Sequence, residues 1–268
     1  MFFFRLGYNG KAQIWEHPDS FMSSVIFVVC LLAKLFHWDL QIKLRVLFSY
    51  RWGQRYVDRK IHYMAASLFA IAHVYLGLRI KVDRRSVGPL PGHFAVVVNH
   101  QSVVDIVAVK LAFPDHPIRF VAKKELGRWF PGVSSVLRVQ RHALIDRKGN
   151  RDQTMRTLDL LARRTRSGIC PVIFAEGTRS RTGEVLPFQA GAVRRVLAAA
   201  PIPIVAVAID GGYRFSRLVD LSATAKNAVF RVRIVGVFPV DGGKSSVTNA
   251  VQASEDAVRA QIDEWHRG

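Results

Sequence analysis

Residues 94–113, FAVVVNHQSVVDIVAVKLAF, decide the fold of this chain. The short β-branched run at 94–98 is typical of a buried strand, and the apolar stretch at 103–113 is typical of a helix. The polar residues between them predict a tight junction at the carboxyl end of the strand. A strand that leads directly into a helix is the first half of a parallel βαβ unit.

The same alternation continues through the rest of the chain. It predicts an α/β fold over residues 81–268, with a central mixed, largely parallel sheet flanked by helices. In such sheets ligands bind beyond the strand ends, so polar residues at the junctions are the candidates for function. Further strands are predicted at 118–122, 136–140, 169–174, 203–209 and 232–238, and further helices at 125–130, 151–166, 189–199 and 249–266.

Residues 1–80 differ in composition and predict a helical region that associates with a membrane. The uncharged runs at 21–33 and 63–78 enclose a basic segment, but each is shorter than the roughly 20 residues that a spanning helix needs. One interpretation is a pair of core-facing helices joined by a solvated basic segment. The other, which we favour, places interfacial or weakly spanning helices in the bilayer, with the basic segment on anionic headgroups. Residues 38–46 alternate in polarity and are left unassigned.

The net charge restricts the partners. The chain has 39 Lys and Arg against 20 Asp and Glu, a net charge of +19 and a pI near 10.8. Nucleic acid, an anionic membrane surface and phosphorylated substrates all suit such a charge. The mean hydropathy of +0.13 favours the membrane surface, and the basic residues are not interleaved with stacking aromatics, so nucleic acid is not an expected partner. Cys30 and Cys170 have no metal-ligand spacing, and no metal site is predicted.

The junction at 99–105, NHQSVVD, carries a candidate catalytic pair. His100 follows the strand, and Asp105 lies five residues further on, where the helix begins. On one helix that spacing separates two side chains by about 140°, so the pair meets only if His100 is still in the loop. A carboxylate bound to one imidazole nitrogen leaves the other ready to take a proton, as a general base does. A structural histidine beside a helix-start aspartate is the alternative.

A second polar junction, EGTRS at 176–180, follows the predicted strand at 169–174. Gly177 permits close backbone approach, Thr178 supplies a hydroxyl group, and Arg179 supplies a planar fork that matches phosphate. The junction therefore predicts an anion site. The chain has no GxSxG elbow, which argues against a serine acyl-enzyme.

Together these junctions resemble the 1-acylglycerol-3-phosphate acyltransferase family, part of the wider glycerolipid acyltransferases. That family has an N-H-x4-D block, a block that ends in Arg, an F-P-E-G-T-R-S block and a proline-containing apolar block, in this order. Residues 99–105 match the first block, 145–147 (IDR) the end of the second, and 174–180 (FAEGTRS) the third, with Ala175 where proline is usual. Residues 203–207 (PIVAV) are similar to the fourth block.

The resemblance implies an acyltransferase. It would move a fatty acyl group from acyl-CoA or acyl carrier protein to the free hydroxyl of 1-acylglycerol-3-phosphate, giving phosphatidic acid. His100 would be the general base and Asp105 would orient it, with no metal and no cofactor, because the acyl thioester is itself a substrate. The acceptor would be held by Arg147, Arg179 and Lys124 at its phosphate and by Glu176, Gly177 and Thr178 around its glycerol, and Asn99 would also bind substrate.

The resemblance also implies where the chain works. Its partners would be a lysophospholipid, an acyl donor and an anionic membrane surface, at the cytoplasmic face of the cell inner membrane, where acyl thioesters are made. The same catalytic block suits another acceptor, such as a lyso-ornithine lipid or lysophosphatidylcholine. A catalytically silent membrane-binding protein would show the same charge, but the complete pair of His100 and Asp105 argues against it.

Overall fold

A computed structural model of the chain describes residues 20–84, 86–146, 149–215 and 224–268. The strands in these residues are β1 Arg79–Asp83, β2 Ala95–Val98, β3 Ile118–Lys123, β4 Ala143–Ile145, β5 Cys170–Phe174, β6 Ile204–Asp210 and β7 Val229–Phe238. They form one sheet in the order β1-β7-β6-β2-β5-β3-β4. Neighbouring strands are parallel except β6 and β7, which are antiparallel. The mixed, largely parallel sheet predicted from the sequence is thereby confirmed.

Helices cover both faces of this sheet. They are α1 Ser20–Phe48, α2 Tyr50–Leu76, α3 Asp105–Ala112, α4 Val133–Val139, α5 Arg151–Thr165, α6 Ala190–Leu197 and α7 Lys244–Arg267. The first two run antiparallel, because Cys30 of α1 contacts Tyr75 near the end of α2, while Val46 of α1 contacts Gly53 near its start. This helix pair packs against α3 and α4.

The hydrophobic core has two halves because side chains alternate along each buried strand. On β2, Val96 and Val98 face a cluster that includes Phe69 of α2 and residues of α3. Ala95 and Val97 face the other side, where α5, α6 and α7 pack. Residues of the N-terminal helix pair therefore share one continuous core with the sheet.

The prediction of a strand at 136–140 is wrong. These residues belong to α4 and its end, and the strand of this region is the three-residue β4. The apolar residues of α4 follow a helical spacing, because Val136 and Val139 pack with Ile42 of α1 and Val57 of α2. A β-branched run of this length does not distinguish a strand from a buried helix.

Other boundaries also differ from the sequence-based expectations. Residues 38–46, left unassigned, continue α1 as a single helix. The predicted helix at 125–130 is a 3₁₀ turn at Lys124–Gly127, and α7 begins five residues before the predicted start at residue 249. The sequence reasoning did not identify β1, whose half-exposed position at the sheet edge gives it little apolar character.

Helix α1 is long and apolar enough to cross a membrane. The segment Met22–Phe48 contains an 18-residue window with a mean hydropathy of 1.8, and it is the one helix of the described residues that meets this test. Core helices of soluble proteins and signal sequences also satisfy these criteria of length and composition. Many of its apolar side chains, such as Val29 and Leu47, lie on the surface.

Candidate active site

The two polar junctions meet at the carboxyl edge of the sheet. β2 and β5 are parallel neighbours, with Val98 beside Phe174 at their ends. The residues that follow the two strands therefore leave the sheet at the same edge. The backbone N–H of Ser180 donates to the carbonyl of His100 at 2.7 Å and holds the two loops together.

His100 and Asp105 form a hydrogen-bonded pair at this edge. His100 is in the loop and Asp105 is the first residue of α3, the arrangement that their spacing requires. Nδ1 of His100 lies 2.8 Å from Oδ2 of Asp105. The same oxygen accepts from the backbone N–H groups of Gln101 and Ser102, at 2.7 and 2.9 Å. Because a carboxylate only accepts hydrogen bonds, Nδ1 carries the proton and Nε2 is the basic nitrogen.

His100 lines a cavity of about 240 Å³. One face of its ring stacks on Phe174, with the ring centroids 4.1 Å apart. Nε2 makes no hydrogen bond to a described residue, so a bound hydroxyl group would have no protein competitor among them. The apolar wall of the cavity includes Ile106, Val121 and Leu126.

Three cationic side chains of the described residues line the same cavity: Lys123, Arg179 and Arg181. Arg179 was expected there from the sequence, and Thr178 lines the cavity beside it. Lys123 and Arg181 were not singled out. A signal for Lys123 was present, because it ends β3 at the carboxyl edge of the sheet, where parallel strands place functional side chains.

Lys124, expected at the phosphate site, does not line this cavity. Its Nζ lies 3.8 Å from Oδ2 of Asp146. A 3₁₀ turn begins at Lys124, directly after the end of β3, so Lys123 and Lys124 point in different directions. Arg147, the other expected phosphate ligand, lies outside the described residues and stays a prediction.

Asn99, expected near the acceptor, is fully buried and pairs with the backbone of β6. Its side-chain amide donates to the carbonyl of Ile209 and accepts from the N–H of the same residue, both at 2.8 Å. An amide side chain matches a peptide group in this way. The contact continues the pairing of β2 with β6 one residue beyond the end of β2, so Asn99 anchors the His100 loop.

Glu176, expected at the glycerol site, is also buried and does not line the cavity. Burial raises the pKa of Glu176 to about 8, and the negative charge of Asp105 adds to the increase. The backbone N–H groups of His100 and Leu186 lie near the carboxyl group and oppose this increase in pKa. Neither of them has good hydrogen-bond geometry to a carboxyl oxygen. At neutral pH the carboxyl group of Glu176 is therefore mostly protonated. The next residue, Gly177, has a φ of +70°.

Gln101 is a buried residue of this site that the sequence reasoning missed. Its Oε1 accepts from the N–H of Gly212 at 3.0 Å, and its Nε2 donates to the carbonyl of Gly183 at 3.3 Å. The side chain therefore joins three loops around His100. A polar residue between a buried strand and a buried helix was the signal, because such a side chain needs partners when it is buried.

The described residues contain no cluster of three or more His, Cys, Asp or Glu side chains that would suit a metal ion. The residues that converge here are one imidazole, one carboxylate partner and several cations. This set suits proton transfer from a hydroxyl group in a substrate that carries negative charge.

Comparisons with known proteins agree with this geometry. Residues 79–210 match the family model described as Acyltransferase. The chain is 28% identical over 200 residues to the 1-acyl-sn-glycerol-3-phosphate acyltransferase alpha of Ovis aries, covering 72% of this chain and 64% of the relative. It is 30% identical over 136 residues to the 1-acyl-sn-glycerol-3-phosphate acyltransferase of Salmonella typhimurium, covering 50% and 54%. Each aligned segment thus spans less than two thirds of the relative.

The fold has a solved counterpart. The crystal structure of the 1-acyl-sn-glycerophosphate (LPA) acyltransferase PlsC from Thermotoga maritima superposes with a TM-score of 0.70, covering 92% of this chain and 96% of the other. The two sequences are 22% identical, so this likeness concerns the fold. The family match over residues 79–210 and the similarity to relatives in bacteria and animals support the acyltransferase family for this chain.

Proposed function

We propose that this chain transfers a fatty acyl group from an acyl thioester to the free hydroxyl of 1-acylglycerol-3-phosphate, giving phosphatidic acid. The observation that carries the proposal is the pair of His100 and Asp105 in a cavity that three cations line. The names of the Ovis aries and Salmonella typhimurium relatives agree with this acceptor. Acyl-CoA or acyl carrier protein would supply the acyl group.

His100 acts as the general base in this proposal. Nε2 takes the proton of the acceptor hydroxyl as the oxygen attacks the thioester carbonyl carbon. The tetrahedral intermediate then loses the thiolate, which recovers the proton from His100. Asp105 keeps the imidazole in the correct tautomer and stabilises the imidazolium, and such base catalysis contributes about 10²–10⁴-fold. The reaction balances with the two substrates alone, so no further co-substrate is required.

The charges and the walls of the cavity suit the two ends of the acceptor. Arg179, Arg181 and Lys123 would bind the phosphate, together with Arg147 if the family pattern holds. A second, apolar cavity of about 90 Å³ lies between the N-terminal helix pair and the sheet, and it shares Ile106 with the first. An acyl chain would be compatible with its apolar lining. Asn99 and Glu176 would support the loop of His100 instead of touching the glycerol.

The acceptor is a membrane lipid, so the chain would work on a membrane. The net charge of +19 supports this. So does the exposed apolar row of α1, which consists of Val25, Val29, Leu32, Phe36, Leu40, Leu44 and Leu47. We assign the site to the cytoplasmic face of the cell inner membrane, where acyl thioesters are available. Residues 1–80 would form the membrane-associating region and residues 81–268 the acyltransferase domain.

A different lysolipid is the second candidate acceptor, because the catalytic pair alone does not select a phosphate monoester. The test is an acyl-transfer assay of the membrane-embedded protein with lysophosphatidate, lysophosphatidylcholine and a lyso-ornithine lipid, each with acyl-CoA and with acyl carrier protein. Lysophosphatidate should give the highest kcat/KM, and a His100→Ala protein should give none. A preference for an acceptor without a phosphate monoester would refute the assignment, and equal rates for the two proteins would refute the mechanism.

A further inference from the structure

The loop Gly127–Pro131 exposes two aromatic side chains next to the active-site cavity. Trp129 is 76% exposed and Phe130 is 37% exposed. Two adjacent exposed aromatic side chains are more informative than apolar residues scattered singly, because exposed apolar patches commonly mark a site for a protein partner or a membrane. We propose that this loop inserts into the headgroup boundary of an anionic bilayer and forms a second membrane contact besides the N-terminal helices. This inference rests on the proposed action on a membrane lipid.

The loop is held beside the apolar row of α1. The N–H of Gly132 donates to Oδ1 of Asp39 at 2.9 Å, and the hydroxyl of Ser135 donates to the same oxygen. A Cβ atom at position 132 would lie 2.8 Å from the carbonyl oxygen of Leu35, and Gly132 has a φ of +72°, so this approach requires glycine.

The contact residues on α1 have exposed apolar neighbours. Phe36 directly follows Leu35, Leu40 directly follows Asp39, and these two neighbours are 57% and 58% exposed. Successive helical residues point about 100° apart, so the loop lies beside the exposed row and not on the opposite face of α1. The aromatic tip and the row therefore belong to one side of the molecule.

The same loop borders the mouth of the cavity. Leu126, which precedes it, lines the cavity with Lys123 and His100. The hydroxyl of Ser134 donates to the carbonyl of Leu126 at 2.9 Å and accepts from the N–H of Phe130 at 3.0 Å. The aromatic tip is thus fixed relative to the cavity, so an inserted tip would set the distance between the bilayer surface and His100.

The chemistry of the loop fits a bilayer better than a protein partner. Trp and Phe are suited to the boundary between headgroups and acyl chains, where an aromatic ring is partly dehydrated. Arg128 is exposed within the loop and would meet lipid phosphates, because an anionic membrane surface attracts basic side chains. One acid, Glu125, is exposed nearby, so the loop remains net basic.

The first test measures the depth of Trp129. The full chain is placed in vesicles that contain an anionic phospholipid, with Trp15, Trp38, Trp52 and Trp265 changed to Phe. Phospholipids brominated at different acyl positions then quench the remaining indole. We expect a blue-shifted emission and the strongest quenching by bromines nearest the glycerol. A water-like emission without quenching would overturn the proposal. A blue shift of the Trp129 emission that acyl carrier protein produces and lipid does not would also overturn it.

A matched control uses the protein that keeps only Trp265. This residue lies near the end of α7 and contacts Arg231 and Arg233 of β7, towards the sheet edge opposite to β3 and β4. Its indole should remain unquenched in the same vesicles. Equal quenching of Trp265 and Trp129 would mean that the label reports general lipid contact, and this result also counts against the proposal.

The second test measures the activity of proteins that keep the other native tryptophans and differ only at Trp129. Trp129→Ala should lower kcat/KM about tenfold for a long-chain acceptor in vesicles, since an indole is no longer transferred from water. Trp129→Phe should lose less, and both proteins should match the wild type with a short-chain acceptor dissolved below its micelle concentration. An equal loss on both acceptors would assign Trp129 to the active site and overturn the inference. If none of the lysolipids were acylated, the proposed function would be refuted. The depth measurement would still test the position of the loop.

Discussion

Oδ2 of Asp105 accepts three hydrogen bonds, and one of them comes from Nδ1 of His100 at 2.8 Å. The other two donors are backbone N–H groups of the loop that carries the histidine. The carboxylate thus fixes the backbone of the loop and the imidazole ring together. Asp105 is fully buried, so this arrangement does not compete with water.

Removal of the imidazole should abolish acyl transfer without unfolding the protein. We expect His100→Ala to lose at least about 10²–10⁴-fold in kcat, the range of general base catalysis. Asp105→Asn should lose orders of magnitude as well, because the amide no longer presents the carboxylate that stabilises the imidazolium. Initial rates and thermal unfolding are measured on the same preparations. A folded His100→Ala protein with near-normal turnover would refute the role of the histidine.

Buried Glu176 should make the stability of the protein depend on pH. Its folded-state pKa of about 8 lies above the ordinary value of 4.5, so the folded protein binds a proton that the unfolded chain releases. The stabilisation is complete below about pH 4.5 and is lost as the pH rises to about 8, with a slope of up to about 1.4 kcal/mol per pH unit. Urea unfolding at a series of pH values measures this slope.

The matched variant for this prediction is Glu176→Gln. Glutamine resembles the neutral acid in shape and does not titrate, so the difference in stability between the two proteins should grow from pH 5 to pH 8 in favour of the variant. A pH-independent difference would show that Glu176 is ionised in the folded protein.

The sequence predicts the parts of this structure that local pattern determines. The run before His100 is β-branched and the stretch after it is helical, so the junction and its pair of residues follow from the sequence alone. The strand proposed at 136–140 fails because its residues are buried by α1 and α2, which are distant in the sequence. Local pattern contains no information on such partners.

The expected ligands differ from the observed cavity for a similar reason. Lys123 and Lys124 are adjacent in sequence, and the position where β3 ends decides which of them faces the cavity. Asn99 looks like a polar residue at a strand end, and only the pairing of β2 with β6 shows that its amide is used inside the protein. These features depend on sheet order, which one sequence does not specify.

Asn99 should contribute to stability more than to acceptor binding. Asn99→Ala leaves the N–H and the carbonyl of Ile209 without side-chain partners in a buried place, which should cost about 1–3 kcal/mol. Denaturant unfolding gives the change in free energy. The KM for the acceptor should change little at temperatures well below the transition. An unchanged unfolding midpoint together with a raised acceptor KM would instead support direct substrate contact.

A cation that lines the cavity should contribute more to the acceptor kcat/KM than a neighbouring cation outside the cavity. Lys123→Met should lower the acceptor kcat/KM, while the adjacent Lys124→Met should have little effect, because Lys123 lines the cavity and Lys124 lies near Asp146. The two variants remove the same charge one residue apart, so they form a matched pair. Steady-state kinetics with lysophosphatidate, and separately with the acyl donor, measure the effect. Equal losses in the two variants would mean that overall charge is what counts.

Arg179 gives the sharper test of phosphate recognition. Arg179→Lys keeps the charge but loses the planar fork, so it is not a conservative change. Loss of a charge-assisted hydrogen bond of about 1.5–3 kcal/mol predicts a roughly ten- to hundredfold fall in kcat/KM for lysophosphatidate. The KM for the donor and the rate with a lysolipid that lacks a phosphate monoester should change little. Equal losses on both acceptors would mean that Arg179 acts on the donor or on the fold, and the choice of a phosphate monoester as the acceptor group would lose its main physical support.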